Sequence, residues 1–108
     1  MKPKLKKIWV KALRSGEYQQ GYSSLCVNGG YCCLGVAYDV LSDDDWAQRE
    51  SWGDQWGIAK YGEIRTDFPP HDVMDEWGLR SDDASRLAEF NDNGWGFSRI
   101  ADWIEANL

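Results

Sequence analysis

Histidine is nearly missing from this 108-residue chain, where His71 stands alone. Cysteine is scarce as well: Cys26, Cys32 and Cys33 make an odd number with two adjacent, which is no basis for a disulfide framework. There is no C-x-x-C pair, and neighbouring cysteines send their side chains in different directions, so zinc ligation is disfavoured despite four ligand-type residues. No apolar run approaches ~18 residues, which excludes a helical membrane span. The basic N-terminus is not followed by an apolar stretch, so no secretory signal is expected and a cytosolic protein is the default reading. A phosphate loop, a Rossmann glycine pattern and other catalytic motifs are all lacking, as are repeats and linkers. The expectation is one domain over residues 1–108, with no metal and no cofactor.

Positive charge is lacking over most of the chain. Lys2, Lys4, Lys6, Lys7, Lys11 and Arg14 put six bases and no acid into the first fourteen residues. All eighteen acids follow with the other six bases, a net of −12 over 15–108. Phosphate repulsion therefore opposes bulk nucleic acid as a partner, and a membrane is not expected either. The basic segment reads first as a solvated helix face offsetting the acidic remainder; the alternative is a surface that reaches a phosphate or an acidic partner.

Residues 24 to 41 organise the rest. Asn28-Gly29-Gly30 supplies residues tolerant of positive φ, the requirement of a two-residue primed turn. An Asn28-Gly29 loop would set Cys26 opposite Tyr31, and a Gly29-Gly30 loop would set it opposite Cys33; the sequence leaves this register open. After the turn the period becomes helical, with Cys33, Val36, Ala37, Val40 and Leu41 on one face and Leu34 and Tyr38 apolar beside it. A helix apolar nearly all round belongs inside a core. Ahead of it, Pro3 and the stripe Leu5, Ile8, Trp9, Ala12 and Leu13 predict an amphipathic helix ended by Ser15-Gly16. Behind it, Ser42 or Asp43 reads as the N-cap of a short helical turn, and 58–64 as a hairpin around Tyr61-Gly62. Short helices are expected after Pro70, capped by Gly78, and from Ser81; Asn91 to Gly94 reads as a turn by composition. A final helix carries Phe97, Ile100, Ala101, Ile104 and Leu108 inward. The fold class is α+β: about five short helices around a central apolar helix, with a minor antiparallel hairpin or sheet.

Four pieces, WVKALRSGEYQQG at 9–21, YCCLGVAYDVL at 31–41, FPPHDVMDEWGL at 68–79 and LAEFNDNGWGFSRIADWIE at 87–105, together resemble a group of short proteins encoded by bacteriophages and prophages. The most specific parts are CCLGV followed by Asp39 and the ND…F..IAD.IE ending; the likeness is least over 42–66. It implies a phage setting, action in the host cytoplasm and counter-defence as a class. It implies no catalytic residue.

Cys32 or Cys33 at a helix start, with His71 and Asp39, can be read as a nucleophile set, and a cysteine-dependent hydrolase or transferase is the outlying alternative. Buried thiols acting as small hydrophobes are the simpler reading. Aromatic content points elsewhere. Of seven tryptophans, Trp9, Trp77 and Trp103 fit helix stripes, whereas Trp46, Trp52, Trp56 and Trp95 have polar or glycine neighbours. Exposed aromatics mark a binding surface, bases stack well on them, and Arg49, Lys60 and Arg65 are near enough in sequence to meet phosphates. The same four indoles, if buried, would instead lid a thin core. The expectation is a non-enzymatic binder whose ligand-binding residues are Trp46, Arg49, Trp52, Trp56, Lys60, Arg65 and Trp95. Its partner is a small nucleotide-type immune signal or, alternatively, a host defence protein whose nucleic-acid site meets the acidic surface; self-association is left open.

Overall fold

A computed structural model describes residues 1–43, 45–48, 53–60 and 63–108. Among these are five helices: α1 (Pro3–Arg14), α2 (Cys33–Leu41), α3 (His71–Trp77), α4 (Ser81–Asp92) and α5 (Phe97–Asn107). Five short strands accompany them: β1 (Cys26–Val27), β2 (Gly30–Tyr31), β3 (Gln55–Trp56), β4 (Ile58–Lys60) and β5 (Glu63–Arg65). The architecture is the expected small α+β domain.

Helix α2 is the centre. Cys33 through Tyr38 are all buried, and α2 packs against α1, α4 and β2. Helix α1 also lies along α5. The Trp9 indole N–H donates to the Cys33 carbonyl at 3.0 Å inside the core, which ties α1 to the first turn of α2. On α1, Val10 is buried and Ile8 is 40% exposed, so the inward stripe is rotated slightly from the sequence expectation. Arg14 joins α1 to α5 through Asp102 and Glu105 at 2.6 and 3.0 Å, and is thereby occupied.

The hairpin register is the one that places Cys26 opposite Tyr31 and Val27 opposite Gly30. Asn28 and Gly29 make the turn with φ of 51° and 79°, both positive as a type I′ turn requires. Cys26 therefore does not face Cys33, and all three cysteines are free. Strand β3 pairs with the other edge of β1, giving the order β2-β1-β3. Strands β4 and β5 form the expected second hairpin, Ile58 opposite Arg65; its turn at 61–62 lies outside the described residues.

Two expectations are corrected. Residues 42, 43 and 45–48 hold no helical turn; Ala47 instead pairs with Gly57 through two hydrogen bonds of 2.8 Å. Backbone pairing with β3's continuation satisfies those groups better than an isolated turn with no packed face. Asn91 and Asp92 are not a turn but the end of α4, because the Asn91 side chain is taken up inside the protein. Its Oδ1 accepts from Gln20 Nε2 (2.9 Å) and the Cys33 N–H (3.2 Å), while Nδ2 donates to the Gly21 carbonyl (2.8 Å). That amide closes the polar 17–24 connection onto α4 and the start of α2.

Gly35 has a second role that its position in an apolar helix conceals. A methyl group there would overlap the Leu25 carbonyl oxygen, so the chain entering β1 rests directly on the backbone of α2. The same carbonyl accepts the Cys32 N–H at 3.1 Å. Cys32 caps the helix, its Sγ accepting from the Gly35 N–H at 3.4 Å.

Candidate ligand-binding site

Directly paired residues on antiparallel strands project to the same face. Cys26 pairs with Tyr31 on one side and Trp56 on the other, so the sheet carries the row Tyr31–Cys26–Trp56. Two strand spacings place the outer pair's backbones about 9–10 Å apart. The short thiol between two rings leaves a notch.

Trp46 completes it. Its indole N–H donates to Asp39 Oδ1 at 3.0 Å, and its ring meets Tyr38 at 4.9 Å and Tyr31 at 5.8 Å, both edge-on. The other Asp39 oxygen accepts from the Tyr18 hydroxyl, and Tyr18 in turn abuts Tyr31 at 5.1 Å. One carboxylate on α2 thus fixes two aromatic side chains. The resulting cavity, of about 380 Å³, is lined by Cys26, Gly29, Tyr31, Trp46, Asp54 and Trp56. Asp54 is exposed and reaches the rim because its carbonyl accepts the Asn28 N–H of the hairpin turn at 3.0 Å. Among the described lining residues the only formal charge is this carboxylate.

Burial pushes the Cys26 thiol up from its ordinary value, and the charges of Asp39 and Asp54 add to that. Burial likewise raises Tyr31. Both therefore keep their protons near neutrality. The cavity offers aromatic faces, a polarisable thiol floor and one acceptor carboxylate, an inventory suited to holding a ligand.

The expected site residues divide. Trp46 and Trp56 come together here. Arg65 pairs with Asp67 at 3.7 Å and lines a separate cavity of about 150 Å³ with Phe68, His71 and Ser81. Lys60 lies opposite Glu63 at the end of the β4–β5 hairpin. Trp95 is stacked on Phe90 at 4.0 Å and 5°, with the Arg99 guanidinium 3.7 Å from its ring, and does not line the pocket. Arg49 and Trp52 lie outside the described residues. Reasoning from sequence missed Tyr31 and Asp54, and gave Asp39 a place beside a nucleophile where it instead holds Trp46 and Tyr18. Tyr31 was within reach, since one of the two hairpin registers already set it against Cys26.

The cysteine set has other surroundings. Cys32 borders a separate cavity of about 320 Å³ with Ser23, Asp67, Phe68 and Asp92. Burial pushes its thiol up to about 11, and holds that of Cys33 well above its ordinary value. Asp39 is engaged by Tyr18 and Trp46 near the far end of α2, and His71 lines the Arg65 cavity. Among the described residues, no group of three or more acids, histidines and cysteines is placed to hold a metal ion, and no helix is long and apolar enough to cross a membrane.

No curated protein and no solved structure matches the chain. A family model described as a domain of unknown function, DUF8296, matches residues 1–108, and the protein belongs to that family.

Proposed function

We propose that this protein is a non-catalytic binder of phage type, acting in the host cytoplasm, that sequesters a small nucleotide-type immune signal by its ring end. The observation that carries the reading is the convergence of Tyr31, Trp46 and Trp56 around the Cys26 thiol, with Trp46 anchored by Asp39. Half-buried rings held in place before any ligand arrives lose little freedom on binding, the condition for useful affinity. Each ring that stacks contributes about 1–3 kcal/mol. The raised thiols favour binding over nucleophilic chemistry, because a protonated cysteine attacks poorly.

Calorimetric titration with cyclic and ADP-ribose-type nucleotides tests this, followed by denaturation and mass analysis of what is released. Trp56→Ala is expected to abolish binding with little change in Tm, since Trp56 is half-buried at a sheet edge. Lys4, Lys7 and Lys11 replaced by Gln should change only the salt dependence. Loss of binding in the lysine variant alone, or release of a chemically altered ligand, would reject the reading. A second reading rests on the excess of eighteen acids over twelve bases: the acidic surface would block the nucleic-acid site of a host defence protein. Co-purification with such a protein, unaffected by Trp56→Ala, is its signature.

A further inference from the structure

We propose that the group this pocket accepts is an organic cation bearing an alkylated nitrogen, in preference to a neutral flat base; the inference rests on the pocket reading above. Its first support is angular. The planes of Tyr31 and Trp46, which both line the cavity, meet at 68°. A flat neutral ring stacks on parallel faces, and two faces at such an angle cannot both lie flat against it. A compact cation presents charge in every direction and is attracted to the face of each ring it approaches within about 6 Å. The second support is spacing. Tyr31 and Trp56 project from strands two apart, about 9–10 Å at the backbone, wider than the ~7 Å of a tight base sandwich and within twice the ~6 Å reach of a cation to a ring face.

The third support is charge. Asp54 stands at the rim, and Asp39 lies behind Trp46. The two carboxylates make the notch electronegative, and both are among the causes that hold the Cys26 thiol protonated. The described lining residues include no base to meet a phosphate. Aromatic faces around a carboxylate-biased cavity recognise alkylated nitrogen because it carries full positive charge yet is weakly hydrated, and so enters a half-apolar site at low desolvation cost. Two sources share this chemistry. One is an aliphatic quaternary ammonium. The other is a cationic ring attached to a nucleotide, such as a pyridinium or an N-methylated purine, which can lie on one ring face while its alkylated nitrogen meets the face of another.

The test uses the full chain and matched pairs that differ in charge and little in shape. They are choline against 3,3-dimethylbutan-1-ol, 1-methylnicotinamide against nicotinamide, and N7-methylguanosine against guanosine. Affinity is read by calorimetry, and location by the NMR shift of the Trp46 indole N–H. The cationic member of at least one pair should bind about tenfold or more tightly than its neutral partner. Asp54→Asn, at an exposed position that leaves Tm unchanged, should reduce that ratio several-fold. The choline pair responding alone assigns the aliphatic source; the ring pairs responding assign the nucleotide source. Neutral members that bind as tightly as the cations, and move the Trp46 signal equally, overturn the charge preference while leaving the pocket in place. No movement of the Trp46 signal by any of the six compounds at millimolar concentration overturns both.

Discussion

Asn91 is the residue on which most separate segments depend. Its amide receives Gln20 and the Cys33 N–H and holds the Gly21 carbonyl, all with no exposure to water. A buried amide so engaged cannot be removed without stranding its partners. Asn91→Ala is expected to cost about 2–4 kcal/mol in urea unfolding, because the Cys33 N–H is left without its side-chain acceptor and a void opens beside it. A loss below ~1 kcal/mol would mean that water replaces the amide without penalty. Nothing in composition singles this asparagine out. It sits in an Asn-Asp-Asn-Gly run whose local preference is a turn, and a tertiary partner 58 residues away overrides that preference.

At the scale of elements, α2 carries the stability. Its apolar period was plain in the sequence, and Val36 is fully buried as that period requires. Val40 belongs to the same stripe, yet near the C-terminus of the helix it is only half-buried. The two positions should therefore part company. Val36→Asp places an unpaired charge in the core, costing several of the ~5–15 kcal/mol available, and is expected to yield unfolded or insoluble protein. Val40→Asp should fold with a reduced Tm, measurable by circular dichroism. Equal behaviour of the pair would show that α2 is not the centre of packing. The helices were legible because each has its own period and punctuation. The three-stranded sheet was not, because two-residue strands have no period, and β3 reaches β1 from a distant part of the chain. The pocket was legible only in part for the same reason: tryptophans in an irregular segment say that a surface is aromatic, and strand pairing decides which of them meet.

For the whole molecule, the three buried thiols set an alkaline limit. Cysteine ionises ordinarily near 9.0, and burial holds Cys32 protonated up to about 11 and raises Cys26 and Cys33 in the same direction. Above pH ~9 the unfolded chain has shed protons that the fold retains, so the unfolded state gains. The thiol contribution is complete below that pH and for Cys32 is lost as pH rises through about 11, on the order of 1 kcal/mol per pH unit. Tm measured from pH 8 to 11 should fall steeply, and the fall should shrink in Cys32→Ser after correction for its lower starting stability. A flat profile would show that the thiols ionise freely in the fold. The acidic excess adds a modest, salt-sensitive repulsion to the same trend.

The contact between Gly35 and the Leu25 carbonyl fixes the level of the pocket floor. Leu25 immediately precedes Cys26, so the floor of the notch is seated on the central helix with no side chain between them to rearrange. Lowering the floor would drive the Leu25 carbonyl into the Gly35 backbone, and lifting it would break the Cys32 N–H bond to that carbonyl. The opposite wall is held by side chains. Trp46 is fixed by its indole bond to Asp39 and its edge contacts with Tyr31 and Tyr38, and the backbone beside it by the two-bond bridge between Ala47 and Gly57. A ligand entering this cavity would therefore meet a floor set by backbone contact and a wall set by side-chain contacts, both in place before it arrives. Its orientation would be decided by the protein and not by the ligand's own adaptation.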